Sequence, residues 1–131
     1  MISPFILVCD DTKNIAQSIL LMLQAEGYRA LAAVSALECV AMARKEKPSL
    51  ILMDIMMPGM DGAMACEAMR DHEELSGIPI VLLSAMPEDE VRARAEECGA
   101  KGYLTKPFSK RSLLEGVGKH VPLPKKDGQP A

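Results

Sequence analysis

Long apolar runs are missing from this sequence. The longest hydrophobic stretches are only a few residues, far short of the roughly 20 that a helix needs to cross a bilayer. The opening "MISPFILVCDD" also lacks the basic region and small-residue cleavage site of a secretory leader. These absences lead to the expectation of a cytoplasmic protein with no membrane partner. A basic excess is missing as well. The formal net charge is -3, which argues against direct nucleic-acid binding. No Cys-x-x-Cys pair occurs, and no histidine stands near Cys9, Cys39, Cys66 or Cys98 to complete a zinc set. The four therefore read as reduced packing residues. Aromatic residues are scarce, at 3% with no Trp.

What is present is a chain of 131 residues, 49% hydrophobic and 25% charged, enough for one domain around one ordinary core. Phe5 to Cys9 (FILVC) reads as a buried strand. Ile15, Ile19, Met22 and Leu23 then recur at helical spacing until Gly27. Tyr28 to Ala33 is a weaker strand, and Ser35-Ala36-Leu37-Glu38 reads as a capping box for a helix ending before Pro48. Leu50 to Met53 makes a third strand, and a helix follows Gly62 with Ala65 and Met69 one turn apart. Ile78 to Leu83 is a fourth strand. Pro87 then takes a first helical position, with Glu88, Asp89 and Glu90 at the positive end of the helix dipole, and Gly99 closes that helix. Lys101 to Thr105 is a short fifth strand, and Ser109 caps a final helix through Leu113, Leu114 and Val117. Residues 1–121 form the expected domain. Residues 122–131 hold three prolines and a glycine without periodicity, and read as a flexible tail or the start of a linker.

Strands alternating with helices predict an α/β fold, a doubly wound five-stranded parallel sheet with helices on both faces. Ligands of such sheets bind outside the carboxyl ends of the strands. That rule collects Asp10 and Asp11 after the first strand, Asp54 after the third, Ser84 after the fourth and Lys106 after the fifth on one edge. Taken alone, Asp10-Asp11 would more often cap a helix, and Lys106 would be a surface lysine. Taken together, three carboxylates in one cleft repel each other unless a cation joins them. Mg2+ suits an all-oxygen set with no His or Cys at hand, and Mn2+ is the alternative. A lysine and a hydroxyl facing the metal suit the oxygens of a phosphoryl group. Asp54 would then be the nucleophile that becomes an aspartyl phosphate. Met53, Ile55, Met56, Met57 and Met60 read as flexible filler. His72 and His120 show no evident partners and read as solvated.

From Phe5 to about His120, "LVCDD", "LILMDIMMPGMDG", "VLLSA" and "GAKGYLTKPF" follow in an order and spacing that resemble the receiver domains of two-component response regulators, typified by the bacterial chemotaxis regulator. The resemblance implies strand order 2-1-3-4-5. It also implies that Asp54 is the phosphoacceptor, that Asp10, Asp11, Asp54 and the carbonyl of Met56 hold the metal, and that Lys106 binds phosphate. Ser84 would be the switch hydroxyl and Tyr103 the switch aromatic. The Lys106-Pro107 bond would be cis, helping to aim the lysine inward. Water's access to the phosphate would be tuned through Met56 and Met86. The implied partners are a histidine kinase or histidine phosphotransfer protein upstream, and a downstream protein or output domain.

Rival readings fit less well. A phosphatase of the haloacid dehalogenase type also uses an aspartyl nucleophile and Mg2+, but wants two aspartates separated by one residue, whereas "CDDTKN" sets them side by side. A flavin carrier of the same topology needs a hydroxyl-rich loop and stacking rings. A degenerate receiver acting only as a docking surface would lack a site residue, and none is missing.

Overall fold

The computed structural model describes residues 5–57, 59 and 61–122. Ten elements alternate along the chain: β1 (Phe5–Cys9), α1 (Lys13–Ala25), β2 (Arg29–Ala33), α2 (Ala36–Glu46), β3 (Leu50–Asp54), α3 (Gly62–Arg70), β4 (Ile80–Ser84), α4 (Glu88–Cys98), β5 (Gly102–Thr105) and α5 (Lys110–Gly118). The strands form one parallel sheet in the order β2-β1-β3-β4-β5. Residues 123–131 of the expected tail, with Pro58 and Met60, lie outside the described residues.

Alternation along each strand builds two cores. Phe5, Leu7, Cys9, Ile51, Met53, Ile80 and Leu82 point to one face, where α2, α3 and α4 bury Cys39, Cys66, Met69, Val91 and Cys98. Ile6, Val8, Leu50, Leu52, Val81 and Leu83 point to the other, onto Ile19 and Leu23 of α1 and Leu113 and Val117 of α5. Strands buried on both sides explain why β1, β3 and β4 read as continuous apolar runs. All four cysteines are free and buried, as packing residues should be.

Boundaries differ from the sequence reading where local chemistry intervenes. β3 runs on to include Asp54, and β4 starts at Ile80, because Pro79 has no N–H for the ladder although its carbonyl accepts from Ile51 N at 3.0 Å. Pro87 is the N-cap of α4, not its first helical residue. The inward stripe of α1 is Ala16, Ile19 and Leu23, so Ile15 stays about one third exposed, at 36%. At α2, Ser35 Oγ accepts from Glu38 N as expected, but the Glu38 carboxylate turns back to Val34 N at 3.2 Å instead of the Ser35 amide. The reciprocal box forms at α5, where Ser109 and Ser112 exchange both bonds. Tyr28 precedes β2. It is buried, and its hydroxyl donates to the Val121 carbonyl at 3.0 Å, fastening the chain after α5 to the sheet.

Candidate functional site

Four strand ends meet at the carboxyl edge of the sheet. Asp10 follows β1 with its amide still paired to Ala33 O at 3.1 Å, and its Oδ1 accepts from Thr12 N at 2.9 Å. This tight turn is its local role; the N-cap of α1 is Thr12, whose own side chain makes no capping bond. Asp10 is fully buried, Asp11 beside it is exposed, and Asp54 is only 4% exposed at the end of β3. Lys106, after β5, reaches between them: its Nζ lies 3.2 Å from Asp10 Oδ2 and 3.3 Å from Asp54 Oδ1. The Lys106-Pro107 bond is cis.

Burial, then the charge of Asp10, push the Asp54 carboxyl up to about 6, against the lowering pull of Lys106 and of the Met56 amide. One lysine thus compensates the two buried carboxylates incompletely. Oxygens of Asp10, Asp11 and Asp54 all lie within 4.8 Å of one another. Hard oxygen donors with residual negative charge and no nearby imidazole fit a small divalent cation such as Mg2+.

The hydroxyl of Ser84 is buried at the end of β4 and accepts from Met86 N at 3.0 Å, so it is engaged with its own loop and not with Asp54. Tyr103 on β5 packs its ring against the α2-α3-α4 core, while its hydroxyl reaches the surface. Met53, Ile55 and Met57 are buried filler as read. Met56 is not, since its side chain is 62% exposed, leaving only its backbone at the cleft. Met60 lies outside the described residues. His72 does have a partner, lying 3.3 Å from the Arg44 guanidinium. His120 is partly buried, and burial with Lys119 and Lys101 nearby lowers its pKa.

Three further residues, at the start of α3 and on α4, were given no part in the site by the sequence reading. Asp61 caps α3, accepting from Met64 N at 2.8 Å, and its other oxygen takes Arg94 of α4 at 2.8 Å. Gly62 lies so close beneath the cleft that a Cβ there would run into the Asp54 carbonyl. The "MDG" triplet carried a signal for Asp61 and Gly62, as a cap and a close approach. Arg94 carried none, because its partner lies 33 residues away.

Comparison with known proteins converges on one family. The model described as response regulator receiver domain matches residues 6–118. Protein PilH of Pseudomonas aeruginosa is 34% identical over 112 residues, covering 86% of this chain and 93% of PilH. The DNA-binding dual master transcriptional regulator RpaA of a Synechocystis species is 33% identical over 114 residues, which is 87% of this chain but only 47% of RpaA. Among solved structures, chemotaxis protein CheY4 of Vibrio cholerae has a TM-score of 0.85 at 29% identity, covering 92% of this chain and 100% of the CheY4 chain.

Proposed function

That the chain belongs to the response regulator receiver domain family is the premise from which we propose that Asp54 takes a phosphoryl group from a phosphohistidine and that the modified domain signals through altered binding. The donor would be a histidine kinase or a histidine phosphotransfer protein. Receiver domains are signalling switches, not turnover enzymes, so the chemistry is the domain's own modification. The observation that carries the reading is the meeting of Asp10, Asp11 and Asp54 oxygens within 4.8 Å, at a point where Lys106 Nζ stands 3.3 Å from Asp54.

With its pKa at about 6, Asp54 is mostly ionised at neutral pH. A carboxylate oxygen can attack phosphorus in line; the P–N bond to the donor imidazole breaks, and the imidazole leaves with the electron pair and takes up a proton. Lys106, which pairs with Asp10 and Asp54, would pass from neutralising them to meeting a phosphoryl oxygen. The Thr12 amide fixes the orientation of Asp10. Asp10, Asp11, Asp54 and the Met56 carbonyl would hold Mg2+, or Mn2+ in its place, and such an ion supplies charge neutralisation at the phosphoryl oxygens. The Ser84 oxygen accepts from Met86 N, which leaves the hydroxyl's own proton for a phosphoryl oxygen. Its inward movement would vacate space for the ring of Tyr103.

The expected result with acetyl phosphate is a mass increase of one phosphoryl group that depends on a divalent metal and vanishes in Asp54→Asn. Equal labelling of Asp54→Asn, or full labelling in excess chelator, would sink the assignment. An unlabelled wild type would instead favour a receiver that works only as a docking surface.

A further inference from the structure

The hydroxyl of Tyr103 sits in a closed triangle with two residues of α4. It donates to Glu88 Oε2 at 3.0 Å and accepts from Arg92 Nε at 3.2 Å, while Arg92 Nη2 reaches Glu88 Oε2 at 3.4 Å. Glu88 and Arg92 stand one helical turn apart on the same face of α4, which is why both can reach one atom of the neighbouring strand. The donor and one acceptor site of the phenol are thereby used on the outside of the molecule.

Building on the switching role given to Tyr103 above, we propose that Glu88 and Arg92 form a surface latch holding Tyr103 with its hydroxyl outward, so that inward rotation of the ring must first break the triangle. Both are positioning residues, with no contact to Asp54 or Lys106 among the described interactions. The latch is light. The Glu88 and Arg92 side chains are 63% and 52% exposed, and an exposed pair of this kind biases a two-state equilibrium by only roughly two- to fivefold. A light latch suits a switch, because it favours the outward ring in the unmodified domain while a phosphoryl group at Asp54 can override it. Linkage adds a consequence: whatever holds the ring outward opposes binding of a phosphoryl mimic at Asp54 by up to the same factor.

The chain offers a clean probe, since its two tyrosines differ in setting. Tyr28 is buried in the opposite core with its hydroxyl on Val121 O, and serves as a fixed reference. Fluorotyrosine would be incorporated into the wild type, Arg92→Ala and Glu88→Gln, and fluorine NMR spectra recorded with Mg2+, with and without the acyl-phosphate mimic beryllofluoride. Arg92→Ala leaves the first turn of α4 untouched, and Glu88→Gln removes the charge that pairs with Arg92 and accepts from the phenol while keeping the side chain's shape. In the wild type the Tyr103 resonance moves on adding beryllofluoride. In both variants it lies part of the way there beforehand, the inward fraction is roughly two- to fivefold higher, and the half-saturating beryllofluoride concentration falls by up to the same factor. Variant resonances that coincide with the wild type in every state overturn the latch and leave the switch standing. A wild-type Tyr103 that ignores beryllofluoride, while Asp54 still accepts phosphate, overturns the inward rotation and the latch with it.

Discussion

Keeping Asp54 ionised inside a protein costs stability, and its raised pKa gives the cost a sign. The unfolded value is near 3.8 and the folded one about 6, so the folded state holds the proton more tightly. The penalty is full above pH 6 and is relieved as pH falls through 6 toward 4. Its upper bound is about 3 kcal/mol, from the shift of 3.8 to about 6. In excess chelator at pH 7, Asp54→Asn should therefore raise the free energy of unfolding by about 1–3 kcal/mol, and the gain should disappear near pH 4. Urea titrations across that range measure it; a gain independent of pH would mean that charge burial is not the cause. The two methionines near the cleft bear on a different property. Neither Met56, largely exposed, nor Met86, partly buried, offers an amide or carboxylate to orient an attacking water. Replacing both, as Met56→Asn with Met86→Glu, should speed decay of the acyl phosphate several-fold. An unchanged decay rate would show that other groups control access of water.

Between elements, an ion pair joins the start of α3 to α4. Asp61 serves both, holding Met64 N with one oxygen and Arg94 with the other. Arg94→Ala and Asp61→Asn each remove the ion pair and should cost about 1 kcal/mol. Asp61→Ala also removes the cap and should cost about twice as much. Denaturation of the double variant Arg94→Ala/Asp61→Asn should give clearly less than the sum of the single losses, whereas full additivity would mean the pair is not coupled. This tie also marks where sequence reading reaches its limit. Strands, helix order and the convergence of Asp10, Asp54, Ser84 and Lys106 at one edge were legible, because two-face burial and strand-end placement are periodic and local. Contacts such as Arg94 to Asp61, Arg92 to Tyr103 and Arg44 to His72 depend on which helix faces meet, and no spacing in the chain encodes that. The exposed Met56 escaped for a related reason: a short loop between a buried strand and a buried helix can still turn one apolar side chain to solvent.

Across the whole molecule, the proposed site draws unequally on the sheet. Asp54, Ser84 and Lys106 belong to β3, β4 and the chain just after β5, whereas the β1–β2 side supplies only Asp10 and Asp11. A phosphoryl group that reached for Ser84 and Lys106 would therefore pull on β4, β5 and the helix between them. Asp10 is already fixed by the Thr12 amide and by the backbone of β2, through Ala33 O. Packing reinforces the asymmetry. Tyr103 lies against the α2-α3-α4 core, and its hydroxyl is tied to α4, so a turn of its ring would be felt first along α4 and β5. Backbone amide NMR shifts with and without beryllofluoride should accordingly change from Ser84 through α4 and β5 into α5, while β2 and α2 stay nearly silent. Changes confined to the loops after β1, β3 and β4 would leave the phosphorylation site intact but refute a switched surface. Equal changes on α2 would mean that the signal crosses the whole sheet, and the face around Tyr103 would lose its claim as the place where a partner reads the state of Asp54. If the face does switch, a partner that binds it only in the phosphorylated form must also tighten the binding of beryllofluoride, because the coupling acts equally in both directions.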